Sequence, residues 1–274
     1  MEDAIGIEKK KRGISILKLE YTITIGCSDS YKPGVMCLMR SLILSQTQYN
    51  LVVIYPPETV TRQTIEQLQA EGCVMRPVMR YLPEQIDHKI YKMTCYTDCW
   101  CKLRLWEFEE YSRLVYLDAD MIVLKNIDHL FQTVGFHAAL DCTAGRHSQA
   151  EQDACPLFNN APKMRYFNAG MFVMTPNKKQ FEKFKTLLAS GDCNVEGYAE
   201  QDFLNDYYER HHWWFQLPPS YNLQKGIRHH HPDIWAPWEA HVLHYTDFKP
   251  WNDINHPENV LHADIVCLWW KIFN

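Results

Sequence analysis

Three absences bound what this chain can be. No apolar stretch approaches the roughly 20 residues that a membrane-spanning helix needs, so no membrane partner is expected. There is no basic excess: 28 Lys and Arg stand against 33 Asp and Glu, for a net charge of -5. That balance argues against a nucleic-acid binder, whose partner's phosphates must be neutralised. The N-terminus lacks the core of a signal peptide, because Ile14-Ser15-Ile16-Leu17 is broken at once by Lys18 and Glu20. The expected location is therefore cytoplasmic, where the ten cysteines are expected to be thiols. No Gly/Ser linker, repeat or low-complexity segment interrupts the chain. The simplest organisation is a flexible N-terminal tail over 1–18, carrying the basic run Lys9-Lys10-Lys11-Arg12, and one domain over 19–274.

What is present suits a large buried core: 46% of residues are hydrophobic and 13% aromatic. In the first half, strand and helix patterns alternate. Tyr21–Gly26, Leu51–Tyr55, Cys73–Met79 and Arg113–Leu117 read as strands, and Met121–Leu124 resumes the apolar pattern. Gly34–Ser45, Glu58–Glu71 and Asp98–Tyr111 read as helices, the second closed by Gly72. This rhythm predicts an α/β fold, with a mostly parallel central sheet and helices on both faces. In the second half His137–Asp141, Gly170–Met174 and His241–Tyr245 read as strands. Lys178–Ala189, Glu200–His211 and Ala263–Phe273 read as helices, and 212–238 as a loop-rich stretch.

The most informative feature is Asp118-Ala119-Asp120, just past the apolar run Arg113–Leu117. Ligands of open α/β sheets gather beyond the carboxyl ends of strands. Hard cations take oxygen ligands there and bridge carboxylates to phosphates. Two carboxylates one residue apart at that place suggest a metal-held diphosphate. Taken alone, such a pair more often ends a strand or caps a turn. Other candidate metal clusters are weaker. Cys95, Cys99 and Cys101 lack the spacing of a standard zinc site. His211, His212 and His229–His231 read as loop histidines at a cleft, with a second metal site as the alternative.

Further motifs stand in a fixed order. They are Trp106-Glu107-Phe108, the run from Tyr166 to Val173 through Asn168-Ala169-Gly170, then Ala199-Glu200-Gln201-Asp202, then the run from His244 to Trp251. Together with the Asp-x-Asp they resemble glycosyltransferase family 8 over nearly the whole chain, with wording similar to its galactinol synthase branch. The resemblance implies a single-domain GT-A type nucleotide-sugar fold, with a nucleotide-binding half over about 19–130 and an acceptor-binding half over about 131–274. It also implies a Mn²⁺-dependent, anomer-retaining transfer of a hexose, galactose from UDP-galactose above all. The acceptor would be a glycan, a glycoprotein such as a ubiquitin-ligase adaptor, or a polyol such as inositol. A homodimer is compatible with it.

The resemblance implies these roles. Asp118, Asp120 and His244 look like the metal ligands, and an imidazole beside two carboxylates suits Mn²⁺. Lys249 looks like the lysine that binds the diphosphate. Cys27, Ser28, Asp29 and Tyr31 match the base-contacting loop, and Ala119 lies within the nucleotide-binding motif. Lys102 resembles the donor-contacting lysine, with a solvated helix face as its ordinary reading. Asp141, Asn168 and Gln201 look like the groups that hydrogen-bond the donor sugar.

Retention by double displacement needs a nucleophile such as a carboxylate, whereas Gln201 is an amide. A same-face route is the better expectation. Departures from the family pattern also inform. Thr246-Asp247-Phe248 stands where relatives have a longer loop with a glycine. Tyr221-Asn222-Leu223 leads to His229–His231 with no following tyrosine, which disfavours a self-glucosylating, glycogenin-like enzyme using UDP-glucose. A catalytically silent sugar- or protein-binding relative is the alternative from another class. Acceptor choice is expected between Gln216 and Trp238, with Trp235 and Trp238 in its wall.

Overall fold

The structure, a computed structural model, describes residues 18–24, 28–91, 96–142, 155–157, 165–211 and 213–274. Cys27, Cys95, His212, the tail before Lys18 and most of the stretch after Cys142 lie outside the described residues.

The chain opens with β1 (Lys18–Thr24) and α1 (Lys32–Leu44). Then follow β2 (Leu51–Tyr55), α2 (Arg62–Ala70) and β3 (Val74–Pro77). All five residues of β2 are buried, as expected of a parallel strand covered on both faces. The second helix starts later than its sequence pattern suggests. Thr61, four residues into the expected helix, accepts the Thr64 N–H and caps it. Gly72, at φ 98°, closes the helix as expected. β3 is shorter than the expected Cys73–Met79, ending at Pro77 on the edge of the sheet, where a residue without an N–H is tolerated.

The helix expected over 98–111 is only partly α-helical. A short α3 (Tyr96–Cys99) passes into a 3₁₀ helix over Trp100–Glu107, and Tyr111 already belongs to β4 (Tyr111–Leu117). The large buried residues Trp100, Leu103 and Trp106 recur every three positions. Three residues per turn aligns them on one face, so core packing selects the tighter helix.

After β4 the chain turns through the Asp-x-Asp into β5 (Met121–Val123). β6 (Phe136–Leu140), β7 (Phe167–Met174), α4 (Lys178–Ser190) and α5 (Glu200–His211) follow. The stretch read as loop-rich contains two strands, β8 (Trp214–Leu217) and β9 (Leu223–Gln224), and the one-turn α6 (Ile227–His230). β8 holds together as a neighbour of β6, with Phe136 opposite Trp214 and Ala139 opposite Leu217. That pairing is a long-range property that local composition does not carry. β10 (Val242–His244), α7 (Pro257–Leu261) and α8 (Ala263–Phe273) end the chain.

The main sheet has the order β3-β2-β1-β4-β7-β6-β8. β7 alone runs antiparallel to its neighbours there, so the sheet is mostly parallel. Alternate residues of β4 feed opposite cores. Leu114 and Tyr116 pack with Trp106, Phe184 of α4 and Phe203 of α5. Val115 and Leu117 pack with Val35 and Leu38 of α1 and Leu68 of α2. Helices thus cover both faces, and the side chains from Arg113 to Leu117 of this central strand leave water. A second sheet, β5-β10-β9, branches off where the Asp-x-Asp ends β4.

Candidate active site

A cleft of about 480 Å³ opens beyond the carboxyl end of β4. Tyr31, Lys102, Asp118, Ala119, Asp120, Asp141, Asn168, Gln201, His244 and Lys249 all line it. Ser28 and Asp29 do not. Ser28 accepts the Ser30 N–H at 3.2 Å, and Asp29 accepts the Thr61 N–H at 3.0 Å, so both shape the turn behind Tyr31.

Strand register brings the three expected metal ligands together. In the antiparallel β5–β10 pair, His244 stands opposite Met121, and the Tyr245 N–H donates to the Asp120 carbonyl at 2.9 Å. Across β4 and β7, the Asp118 N–H donates to the Gly170 carbonyl at 2.8 Å. One ligand atom from each of Asp118, Asp120 and His244 then lies within 4.8 Å of the others. Two glycines make this approach sterically feasible. A Cβ on Gly34 would strike the Ala119 carbonyl oxygen, and one on Gly170 would crowd His244, Asn168 and Asp118.

The electrostatics suit a cation. Burial alone would raise the Asp120 carboxyl, but Lys249 and His244 outweigh it and hold the group well below the usual carboxylate range. Nε2 of His244 faces Asp120 Oδ1 at 3.2 Å, and Lys249 pairs with the other carboxylate oxygen. Asp118 accepts the Tyr116 hydroxyl at 2.7 Å and lies 3.1 Å from Lys102 Nζ. Two carboxylates and one imidazole form a donor set that fits a divalent cation.

Lys102 is not on a solvated face. It is 3% exposed and sits between Asp118 and Glu200, 2.8 Å from the latter, while donating to the Ala169 carbonyl. Burial opposes its charge, yet Asp118 and Glu200 keep it well above the usual lysine range.

A buried polar chain runs behind the ligands, and its direction is set by backbone. The N–H of Gly170 donates to Asn168 Oδ1 at 2.9 Å, so that atom is an acceptor. Asn222 Nδ2 therefore donates to the same oxygen at 2.9 Å, and Asn168 Nδ2 donates to Asp141 at 3.0 Å. This leaves Asn222 Oδ1 to accept from His244 Nδ1 at 2.9 Å. Gln201 is oriented in the same way: its Oε1 accepts the Ala169 N–H at 2.9 Å, and its Nε2 donates to Asp141 and to the Tyr166 hydroxyl.

Two residues that build the site had no role of their own in the sequence reading. Asn222, fully buried behind the cleft, stands in the sequence reading only within Tyr221-Asn222-Leu223. Glu200 was read only as a neighbour of Gln201. Gln224, Lys225, His229 and His230 form part of the wall, whereas Trp235 and Trp238 do not line it. Trp238 is 64% exposed and Trp235 stacks under Arg228, so of the 216–238 stretch expected to choose the acceptor, only residues within 224–230 line the cleft. Asp247 takes a φ of 61°. It adopts the left-handed conformation, and Asp is one of the few side chains that tolerate it. Among the described residues no helix is long and apolar enough to cross a membrane.

The comparisons with known proteins agree with this geometry. Glycosyl transferase family 8 matches residues 22–255. Galactinol synthase 2 of Arabidopsis thaliana is 32% identical over 278 residues, covering 94% of this chain and 81% of that protein. Galactinol synthase 1 of Ajuga reptans is 33% identical over 279 residues, with coverage of 94% and 81%. Among solved structures, the galactosyltransferase LgtC in complex with donor and acceptor sugar analogues superposes with a TM-score of 0.66 at 17% identity, covering 93% of this chain and 95% of that one. The glycosyltransferase GlyE of Streptococcus pneumoniae TIGR4 gives 0.62 at 18% identity, covering 94% and 60%. The fold is thus the GT-A glycosyltransferase fold.

Proposed function

This chain belongs to glycosyl transferase family 8, and from that premise we propose that it moves galactose, with retention, from UDP-galactose to a hydroxyl of a polyol of the inositol type. The carrying observation is the convergence of Asp118, Asp120, His244, Lys249 and Gln201 on one cleft in a chain about a third identical to galactinol synthases.

Asp118, Asp120 and His244 would hold Mn²⁺, which supplies Lewis-acid stabilisation to the departing diphosphate. Lys249 neutralises Asp120 in the ligand-free protein. Released from that pairing, its ammonium would turn to the leaving group, where a cation offsets negative charge without transferring a proton. Tyr31, edge-on to Trp251 at 5.9 Å, presents an aromatic face to the base, with Ser28 and Asp29 holding its turn.

Asp141, Asn168 and Gln201 form the sugar side. Their mutual hydrogen bonds fix which atoms accept and which donate, and a buried polar set discriminates among hydroxyls because a mismatch leaves a group unpaired. No flanking carboxylate is poised for double displacement. Glu200 is engaged with Lys102, and Asp202 accepts the N–H groups of Glu196 and Tyr198 and the Tyr166 hydroxyl. This supports a same-face transfer. The bond from the anomeric carbon to the phosphate oxygen breaks, the bond to the acceptor oxygen forms, and the acceptor's proton goes to the departing phosphate oxygen. Gln201 offers its amide dipole to the electron-poor sugar ring.

The test is an acceptor panel with labelled UDP-galactose and UDP-glucose. Transfer to inositol from UDP-galactose supports the reading. Transfer only to a glycan, or only from UDP-glucose, replaces the acceptor or donor assignment.

A further inference from the structure

A second convergence of ligating side chains lies outside the Asp118, Asp120 and His244 set. Cys142 follows directly on Asp141 beyond β6, Cys155 stands alone in the following segment, and His231 closes α6. One ligand atom from each lies within 4.8 Å of the other two. Cys155 Sγ is 3.3 Å from His231 Nε2. Both of these residues are only 2% exposed.

The donor chemistry differs sharply from that of the carboxylate site. Two sulfurs and an imidazole are soft ligands, which favour zinc over Mg²⁺ or Mn²⁺. With Zn–S near 2.3 Å and Zn–N near 2.0–2.1 Å, tetrahedral ligands stand about 3.5–3.8 Å apart. The Cys155–His231 distance is already close to that, and with all separations within 4.8 Å the third ligand needs at most about 1 Å of movement. Two of the three backbones are held. The Cys142 N–H donates to Gln224 Oε1, whose amide donates to the Leu140 carbonyl. The His231 N–H donates to the Ile227 carbonyl, while its own carbonyl accepts from Ile234 and Trp235.

The ordinary alternative is a thiol packed as a small hydrophobe. Cys37 and Cys73 fit that description: each lies in an apolar cluster, and burial pushes the Cys73 thiol up to about 12. Cys142 also packs at the edge of the Cys37 cluster, but it and Cys155 share a histidine between them. We propose that Cys142, Cys155 and His231 hold a zinc ion, the fourth tetrahedral position being left to water. Such an ion ties three distant parts of the chain together, and it anchors both Asp141 on one wall of the cleft and His229-His230 on the other. Metal binding of this kind contributes directly to folding free energy.

The test uses the full chain, purified under reducing conditions, stripped with a chelator and reloaded with Zn²⁺ or Co²⁺ alone. Elemental analysis after gel filtration should find about one tightly held zinc per chain. The cobalt form should show thiolate-to-metal charge-transfer absorption. Cys142→Ser with Cys155→Ser should lose both signals, whereas Asp120→Ala should keep the charge-transfer band, which separates this site from the carboxylate one. Chelation should lower the Tm of the wild type. A wild-type protein without the thiolate band overturns the proposal, and this holds even if the double variant does not fold. A band and stoichiometry unchanged in a folded double variant overturn it equally.

Discussion

Nδ1 of His244 lies 2.9 Å from Oδ1 of Asn222, and that oxygen is obliged to accept. The obligation traces back through Asn168 to the backbone N–H of Gly170, a group that can only donate. His244 therefore turns its Nδ1 proton to Asn222, and its Nε2, which faces Asp120 Oδ1 at 3.2 Å in the ligand-free protein, is the nitrogen a metal would take in the Nδ1–H tautomer. A metal-facing imidazole needs that tautomer, and the partner of its other nitrogen sets it.

Asn222→Ala removes this acceptor. Mn²⁺ affinity, titrated by the electron paramagnetic resonance of free Mn²⁺ on the donor-free protein, should fall roughly 10- to 100-fold. Wild-type affinity in a folded Asn222→Ala variant would show that the tautomer does not depend on this contact.

Lys249→Ala should lower turnover by about 10², the scale for losing one electrostatic stabiliser. Steady-state kinetics check it, with circular dichroism to verify the fold. A variant within about twofold of wild type would reduce Lys249 to a partner of Asp120.

Stability should decline in weak acid, for a reason lodged in His262. Burial, reinforced by Lys225, His229 and Arg228, lowers its pKa from 6.5 to about 4. The unfolded chain takes up a proton below 6.5 that the folded chain refuses, so unfolding is favoured as pH falls from 6.5 toward about 4. Above that interval the group contributes no slope. Urea midpoints measured across it should fall in the wild type and fall less steeply in His262→Gln. Parallel slopes would assign the acid sensitivity to other groups.

His230→Ala should impair transfer to the acceptor more than hydrolysis of UDP-galactose, and Trp238→Ala should change neither, because only His230 lines the cleft. Comparison of product formation with UDP release for both variants checks this. A selective transfer defect in Trp238→Ala would restore the wall read from the sequence.

Much of this was legible in the sequence, and the rest was hidden for physical reasons. Continuous apolar runs such as Leu51–Tyr55 announce buried parallel strands, and two carboxylates one residue apart just past such a run announce the Asp118–Asp120 pair. β8 and Asn222 could not be read that way. β8 exists through its pairing with β6, and Asn222 matters through contacts with His244 and Asn168 that are 22 and 54 residues distant. The 3₁₀ helix over Trp100–Glu107 departs from expectation because core packing, not local propensity, chooses its period.

The central claim is that the Asp118, Asp120 and His244 cleft carries out metal-assisted transfer from a nucleotide sugar. The most direct measurement is UDP release from UDP-galactose in the presence of inositol, with added Mn²⁺ and with excess chelator, for the wild type and for Asp118→Ala combined with Asp120→Ala. The account predicts UDP release by the wild type with Mn²⁺, its loss with chelator, and its absence in the folded double variant. Release that persists in the chelated wild type or in the double variant would contradict it.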